Sequence, residues 1–250
     1  MNLKQLIGRI RKSNQTEKEA SDERLDALRR KGAKIGNDVY VYASQNTIID
    51  TTSPWLLTIG DHVRITAGVK ILTHDYAWSV LKHYGTEGTL PGGIFGSQRP
   101  VEIGNCVFIG MNAVITCGSK IGHHVIIGAG SVVSGVCESN SVYAGVPARR
   151  IMSLNEYYAK RKARQFEEAR EFVLRYRERM GQMPPQDVVS EYFMLFCTCE
   201  QAQQVPAFRS KMALLDNLEE TKAYMQANPP MFESYEAFVQ ACLAERQMEM

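Results

Sequence analysis

The sequence predicts a mainly β protein: a parallel β-helix built from hexapeptide repeats, with an N-terminal helix and a C-terminal helical extension. Three observations indicate this fold. In the middle of the chain an aliphatic residue recurs every six positions. A small or β-branched residue follows most of them four positions later, and both ends of the chain have helical patterns instead. A period of six is typical of stacked β coils and of neither a helix nor a solitary strand.

The composition excludes several classes of protein. With 250 residues, 44% hydrophobic and 22% charged, the chain is long enough to bury a core and is not disordered throughout. A net charge of +2 argues against a general affinity for nucleic acid, and no stretch is apolar enough to span a membrane. The start of the chain lacks the apolar core of a secretory signal, and the six cysteines lack paired CxxC spacing. We therefore expect a cytoplasmic protein with reduced thiols.

The repeat is clearest in the second half of the β region. Counting by six from Ile103 reaches Ile109, Ile115, Ile121, Ile127 and Val133. Four positions after each of these six aliphatic residues come Val107, Ala113, Ser119, Val125, Ser131 and Cys137. In a β-helix, three short strands form one triangular coil of three hexapeptides, the aliphatic residue points inward, and the small residue fits near a corner.

The same register extends towards the N-terminus and is then interrupted. It appears as Ile35, Val41, Ile59, Ile65 and Ile71. The interval from Val41 to Ile59 equals three hexapeptides and so predicts one whole coil. The step from Ile71 to Ile103 is not a multiple of six, so an insertion is expected over 73–100. The predicted organisation is an N-terminal helical segment over 1–34, a β-helix over 35–152 with that inserted loop, and a helical extension over 153–250.

Helical signals follow the β region. Ser153 and Glu156 have the spacing of a capping box. An apolar stripe with steps of three and four then predicts a helix that ends at Gly181; it consists of Phe166, Ala169, Val173, Tyr176 and Met180. Apolar residues between 188 and 196 predict a second helix, and SYEAFVQACLAER, starting at residue 234, predicts a last one.

Among the five histidines, His74 has the strongest case for a chemical role. It comes three positions after the aliphatic Ile71, at the base of the insertion, where the edge of the coil can hold its ring. A neutral imidazole is the usual general base for taking a proton from a hydroxyl group near neutral pH. His83 lies deeper in the loop, whereas His62 and His124 occupy turn positions of the repeat, where outward-facing residues are expected.

Four segments together resemble a known family. They are HDYAW at residues 74–78, IGNCVFIGMNAVI, IGHHVIIGAGSVV and SVYAGVPARRI. These residues resemble the hexapeptide-repeat O-acetyltransferases, close to the galactoside, maltose and capsular-polysaccharide acetyltransferases, over about 35–152. The resemblance implies a left-handed β-helix and a homotrimer with active sites between subunits. It also implies direct transfer of an acetyl group from acetyl-CoA to a sugar hydroxyl.

The resemblance also implies roles for individual residues. His74 would be the general base, and the backbone at Gly110 and Met111 would donate to the oxyanion. The cofactor-binding residues would be Phe108, Ala129, Ser134, Arg149 and Arg150, with the two arginines meeting phosphates. On the acceptor side, Ser44, Asn46 and Asp50 match a polar cluster of the sugar-acetylating relatives. The chain departs from the family pattern at Met111, where relatives often have Ser, and at Phe108, where they often have Trp. At Gly135, relatives often have Lys.

Other functions remain open at this point. One is a non-catalytic trimeric β-helix scaffold, and another is an acetyltransferase whose acceptor is an amine or serine. A zinc hydratase of the same fold needs two histidines in His-x4-His spacing, and no two histidines here are five positions apart. No metal is therefore expected.

Overall fold

The computed structural model describes residues 3–244, with side chains from residue 16 onward. It divides into two compact units, Met1–Tyr157 and Tyr158–Met250. Within the described residues, every helix is too short or too polar to span a lipid bilayer.

The first unit holds one long helix, one short helix and seventeen short strands. The helices are α1 (Leu3–Arg30) and α2 (Trp78–Leu81). The strands before the end of the insertion are β1 (Lys34–Ile35), β2 (Tyr40–Val41), β3 (Ile48–Ile49), β4 (Leu57–Ile59), β5 (Arg64–Ile65), β6 (Lys70–Ile71), β7 (His74–Asp75) and β8 (Ser97–Gln98). The later strands are β9 (Val101–Ile103), β10 (Phe108–Ile109), β11 (Val114–Ile115), β12 (Lys120–Ile121), β13 (Val125–Ile127), β14 (Val132–Val133), β15 (Val136–Cys137), β16 (Ser141–Ala144) and β17 (Arg149–Ser153).

Fifteen of these strands form the three faces of a prism. Face A contains β1, β4, β9, β12 and β15; face B contains β2, β5, β10, β13, β16 and β17; and face C contains β3, β6, β11 and β14. Pairing within the three faces is parallel except between β16 and β17, where the chain turns back. In the regular coils the partners are three hexapeptides apart, as Ile109 is from Ile127. The predicted β-helix and its hexapeptide period are confirmed.

The aliphatic residues fill the prism as the pattern predicts. Ile109, Ile115 and Ile127 have no exposed surface, and the small-residue positions at Ala113 and Ser131 are buried as completely. At roughly 25 cal/mol per Å² of apolar surface, burying each isoleucine favours the folded state by about 1.5–3 kcal/mol. The interior is therefore a continuous aliphatic column that holds the corners rigid.

The register predicted for the first coil is wrong. Ile35 pairs with Ile59 and Ile49 pairs with Ile71, and both intervals are longer than the three hexapeptides of a regular coil. The segment from Val41 to Ile59 therefore covers two faces and not a whole coil. Two single-turn 3-10 helices, Ser44–Asn46 and Pro54–Leu56, take up the extra residues at the corners.

The last coil is shorter than the repeat predicts. Cys137 pairs with Ile121, less than three hexapeptides away, and lies on face A as an inward-facing strand residue. The pattern had given Cys137 the small-residue position near a corner. Val133 and Cys137 thus face the interior from two different faces although the chain between them is shorter than one hexapeptide.

The turns from face A to face B form one stacked corner. Each turn has a residue with positive φ: Asp38, His62, Cys106, His124 and Asn140. The amide of each later residue donates to a carbonyl one coil earlier, as His62 does to Asn37. His62 Nδ1 lies 2.9 Å from Asp38 Oδ2, and His123 Nδ1 accepts from the Asn105 amide. These histidines are exposed turn residues that stabilise the corner.

Helix α1 packs against the first coil. Leu25 and Leu28 are almost fully buried and belong to the same apolar core as the prism. Ser21 Oγ accepts a hydrogen bond from the Val41 amide, and Arg24 donates to the Thr47 carbonyl at 2.7 Å. The helix therefore satisfies backbone groups of the first coil that have no preceding coil to pair with.

The second unit is helical. Helix α3 (Leu154–Met180) starts at the predicted capping box, in which Ser153 and Glu156 bond reciprocally, and it is followed by Gly181 with φ +69°. The remaining helices are α4 (Cys199–Gln204), α5 (Pro206–Met212), α6 (Leu218–Ala227) and α7 (Tyr235–Leu243). The helix predicted between 188 and 196 is wrong, because that segment forms the short 3-10 turns Gln186–Val189 and Phe193–Leu195.

Aromatic residues form the core of the second unit. Phe193 stacks on Phe208 with ring centroids 5.0 Å apart, and Phe196 lies 4.9 Å from Phe238. The last predicted helix is confirmed within the described residues, with Ser234 as its N-cap.

Candidate active site

The turns from face C to face A bring together the polar residues of consecutive coils. We call this edge the C–A corner; it contains Asp50 after β3, Thr73 and His74 after β6, Thr116 after β11 and Ser134 after β14. Because consecutive coils stack about 4.8 Å apart, residues that are a whole coil apart in sequence become neighbours here. The insertion 73–100 leaves the prism at the same corner.

His74 is held by Asp50. Its Nδ1 lies 2.5 Å from Asp50 Oδ2, and the His74 side chain is 37% exposed while that of Asp50 is 4% exposed. Because Nδ1 is bonded to an ionised carboxylate, Nδ1 carries the proton, and the lone pair of the neutral ring lies on Nε2. This is the tautomer that a general base requires.

Asp50 is fixed by hydrogen bonds to both oxygens. Oδ2 also accepts from the Thr73 amide at 3.0 Å and from Thr73 Oγ1 at 2.6 Å, and Oδ1 accepts from the Thr52 amide at 2.8 Å. Burial alone would raise the pKa of this carboxyl, but the bonds from Thr73, Thr52 and His74 outweigh burial and hold its pKa well below the ordinary range. Asp50 is therefore a fixed negative charge facing the imidazole.

Asp50 was predicted as an acceptor-binding residue, and the structure gives it a different set of contacts. Its buried carboxylate is occupied by His74, Thr73 and Thr52. The partner that orients His74 could not be chosen from the sequence. The correct strand pairing would have identified it. Strand β3 pairs with β6, so Asp50, which follows β3, lies beside Thr73, which follows β6.

A two-stranded hairpin fixes the backbone of His74. Strand β7 pairs antiparallel with β8, so that His74 lies opposite Gln98. The Arg99 amide donates to the Thr73 carbonyl at 3.0 Å, and Ser53 Oγ donates to Gln98 Oε1 at 3.3 Å. The insertion therefore begins and ends at the site, and its two ends are tied together there.

A cleft of about 450 Å³ opens beside His74. Its lining includes His74, Asp75, Arg99, Thr116, Cys117 and Ser134. Thus the predicted base and the predicted cofactor-binding residue Ser134 lie in one cleft. Arg99 and Cys117 were not singled out by the sequence, because neither belongs to a motif that marks it.

The other predicted donor residues lie along a different edge. The turns from face B to face C, which we call the B–C corner, contain Gly110, Met111 and Ala129. The Gly110 amide donates to the Ile127 carbonyl at 2.8 Å. The Met111 amide, in contrast, has no acceptor among the described residues, and neither does the Ala129 amide at the same corner. A Cβ on Gly110 would lie 2.5 Å from the Ala129 nitrogen, so only glycine allows these two turns to stack.

The remaining predicted residues are distributed around the B–C corner. Phe108 is 43% exposed on face B, just before Gly110. Arg149 pairs with Ala144 in the strand that closes the stack, and Arg150 follows it. Ser44 and Asn46 lie in the 3-10 turn after β2, at the N-terminal end of this corner. Asp50 is on the C–A corner, so the predicted acceptor cluster is divided between two edges.

The predicted site residues of one chain thus lie on two separate corners. The C–A corner holds His74 and Ser134, and the B–C corner holds Gly110, Met111 and Ala129. A face C strand and the turns at its two ends separate the two corners. The two extended residues of that strand, at about 3.3 Å each, alone span roughly 7 Å. That separation exceeds the reach of a hydrogen bond of about 3 Å.

His83 is exposed within the insertion, and the cleft lining does not include it. Among the described residues, no three His, Cys, Asp or Glu side chains come together as a metal-binding group.

Comparisons with known proteins agree with the repeat. The family model described as bacterial transferase hexapeptide (six repeats) matches residues 100–135. Protein CapG of Staphylococcus aureus is 35% identical over 159 residues, which cover 63% of this chain and 83% of CapG. Galactoside O-acetyltransferase of Escherichia coli K12 is 37% identical, covering 50% of this chain and 61% of that protein. The putative lipopolysaccharide biosynthesis O-acetyl transferase WbbJ of the same strain is 33% identical, covering 53% and 66%.

Solved structures were also matched. A maltose O-acetyltransferase from Clostridium difficile matches with a TM-score of 0.40 and 28% identity, covering 53% of this chain and 75% of that one. The β-helix assignment depends on the strand register of the chain itself.

The extent of the match to CapG places the chain in a known class: it belongs to the bacterial hexapeptide transferase family. The family resemblance, the left-handed β-helix and the transferase class predicted from the sequence are confirmed. The match covers 63% of the chain, so more than a third of the chain lies outside it.

Proposed function

We propose that this protein is an acetyl-CoA-dependent O-acetyltransferase that acts on a sugar hydroxyl. The observation that carries the proposal is the Asp50–His74 pair at the edge of a cleft, with Nε2 of the imidazole directed away from the carboxylate. Two relatives are named as O-acetyltransferases, of galactosides and of lipopolysaccharide biosynthesis. Both names fit a sugar acceptor.

In the proposed mechanism the transfer is direct. His74 Nε2 accepts the proton of the acceptor hydroxyl as its oxygen attacks the thioester carbonyl of acetyl-CoA. The tetrahedral intermediate then breaks its C–S bond, and the leaving CoA sulfur takes the proton back from His74. Asp50 stabilises the imidazolium that exists between these two steps. Such a base contributes about 10² to 10⁴ to the rate.

The backbone at Gly110 and Met111 would bind the oxyanion of the intermediate. A donor fixed in advance contributes about 10² to 10³. Since Gly110 N–H is already bonded to Ile127, the Met111 amide is the candidate donor. Phe108, Ala129 and Ser134 would follow the pantetheine arm, and Arg149 and Arg150 would meet the phosphates, for which a guanidinium is well suited.

We further propose that the working form is a homotrimer with the acceptor bound between subunits. The separation of the two corners supports this, because the C–A corner of one copy and the B–C corner of the next would together supply base and oxyanion donor. Ser44 and Asn46 would then contact the acceptor from the B–C side. Asp50 would act through His74 and not on the sugar.

The test is an acetyl-transfer assay with a panel of saccharides, in which release of the CoA thiol is followed. We expect His74→Ala to lower kcat by about 10² to 10⁴ with CoA affinity nearly unchanged. His83→Ala is the matched control, because it removes an exposed histidine of the same insertion. A loss in His83→Ala with none in His74→Ala would show that our mechanism assigns the base to the wrong residue.

The trimer has its own test. On dilution, the sedimentation coefficient and the specific activity should fall together, because each proposed site needs residues from two copies of the chain. A fully active monomer would contradict the shared site. If acetyl-CoA does not bind at all, the non-catalytic scaffold becomes the better explanation of the fold.

A further inference from the structure

Arg99 is a cation beside His74 to which no role has been given so far. It directly follows strand β8, whose residue Gln98 pairs with His74, and its amide is bonded to the Thr73 carbonyl. The hairpin that fixes the imidazole therefore fixes the backbone of Arg99 as well. Both side chains line the same cleft.

The guanidinium of Arg99 lies against two residues of the next coil. Its Nη2 donates to Cys117 Sγ at 3.7 Å, which is a weak hydrogen bond. A Cβ on Gly118 would lie 2.8 Å from Arg99 Cζ, and Gly118 has φ +83°. Glycine at this turn therefore leaves the space that the guanidinium occupies.

The charge of Arg99 is not balanced within the described residues. No carboxylate among residues 16–244 forms an ion pair with it, and its one side-chain acceptor is the Cys117 thiol. The one acid in the cleft lining is Asp75, which forms no ion pair with Arg99 and accepts from the Ala77 amide at 2.7 Å. Asp50 is not part of the lining, and its carboxylate is bonded to His74 and Thr73. Arg99 thus lines the cleft with one side-chain hydrogen bond, to a thiol, and a planar fork of N–H donors suits a carboxylate or a phosphate.

We propose that Arg99 binds an anionic group of the acceptor, a carboxylate or a phosphate, and so selects acidic or phosphorylated saccharides over neutral ones. This inference rests on the proposed function, since it assumes that the hydroxyl to be acetylated lies at His74. Arg99 is then a specificity residue: it holds the charged substituent while His74 takes the proton from the hydroxyl.

The experiment compares three acceptors in both the gluco and galacto series: the neutral methyl hexoside, the hexuronic acid and the hexose 1-phosphate. With saturating acetyl-CoA, kcat/KM is measured for the wild type, Arg99→Gln and Arg99→Lys. Lys82→Gln is the matched control, because it removes an exposed positive charge of the same insertion outside the cleft. Binding of each saccharide is measured separately by calorimetry.

We expect one anionic acceptor to exceed its neutral counterpart at least tenfold in kcat/KM. Arg99→Gln should remove about 10- to 100-fold of that advantage, mainly through KM, the scale of a lost hydrogen bond to a charged group. The neutral sugar and the Lys82→Gln enzyme should be unaffected. A uronate preference identifies a carboxylate as the ligand, and a 1-phosphate preference identifies a phosphate.

Equal kcat/KM for neutral and anionic acceptors would overturn the inference and leave the acetyltransferase proposal intact. So would an Arg99→Gln enzyme whose main defect is a higher KM for acetyl-CoA, because Arg99 would then belong to the donor site. If acetyl-CoA binds but calorimetry detects no anionic saccharide at tens of millimolar, the inference is also wrong. Failure of acetyl-CoA to bind refutes the proposed function instead, and calorimetry with the saccharides still tests Arg99.

Discussion

Replacing Asp50 by Asn tests the arrangement of the site, because it exchanges one carboxylate oxygen for an NH₂ group. The carboxylate accepts four hydrogen bonds, three at Oδ2 from His74 and Thr73 and one at Oδ1 from Thr52. An amide has only one oxygen. If that oxygen faces His74, the NH₂ group faces the Thr52 amide, and two donors then oppose each other. If the amide is flipped, the NH₂ group faces the Thr73 amide, which is also a donor, and the bond to His74 is reversed.

The second orientation leaves the imidazole in the wrong tautomer. An NH₂ group that donates to Nδ1 puts the ring proton on Nε2, which can then no longer accept from a hydroxyl. The first orientation keeps the tautomer but loses the negative charge that stabilises the imidazolium. The same change in a Ser-His-Asp triad lowers kcat about 10⁴-fold. We expect a loss of about 10² to 10⁴ here, which is about 2.7 to 5.5 kcal/mol in the activation free energy.

The assay is release of CoA thiol at saturating acetyl-CoA, with acceptor varied. Glu87→Gln is the matched control, because it neutralises an exposed carboxyl of the same insertion that the cleft lining does not include. A circular-dichroism spectrum and sedimentation show whether each variant keeps its fold and assembly. An Asp50→Asn enzyme that is folded, assembled and within twofold of the wild-type kcat would refute the argument that Asp50 orients His74.

Three further predictions concern stability and thiol reactivity. Because the folded-state pKa of Asp50 is depressed, its charge stabilises the fold above the unfolded-state pKa of about 3.9, and this contribution disappears as pH falls. The free energy of unfolding in urea should therefore differ less between pH 7 and pH 3 in Asp50→Asn than in the wild type. An unchanged difference between the two pH values would contradict the assignment. Ile109→Ala should lower the free energy of unfolding by about 2–5 kcal/mol, because Ile109 is fully buried, whereas Val114→Ala on an outward position should lower it far less; equal losses would mean that the two positions are buried alike. Burial raises the pKa of Cys137 to about 11, so iodoacetamide at pH 8 should label the exposed Cys106 well before Cys137, as peptide mass spectrometry can measure, and early labelling of Cys137 would show that the column is open.

The regular part of the fold follows directly from the sequence because its physical cause is local and repeated. From Ile103 to Val133 each hexapeptide has the same demand, an aliphatic residue inward and a small one at the corner, so the period determines strand, face and pairing together. The irregular coils do not follow this spacing. Between Val41 and Ile59, two 3-10 turns contain extra residues, and the chain advances only two faces. The interval between these two aliphatic residues nevertheless equals three hexapeptides, so in the sequence it looks like one whole coil.

That register error also hid the most informative contact of the site. With Ile49 paired to Ile71, Asp50 lies beside the turn that carries Thr73 and His74. The position of His74 at the base of the insertion could be read from sequence, because an interrupted repeat marks where the loop leaves the prism. The partner of His74 could not, because the two residues are far apart in sequence and only the stacking of coils brings them together. Arg99 was missed for the same reason, since the closure of the hairpin at β7 and β8 brings it to the cleft.

Acetyl-CoA binding is the most direct test of the central claim that two corners of this β-helix form an acetyl-transfer site. Acetyl-CoA, and then CoA, would be titrated into the purified protein in a calorimeter. We expect binding in the micromolar range with about one molecule per chain, and the same affinity in His74→Ala. No binding up to millimolar concentration in the wild type would contradict it.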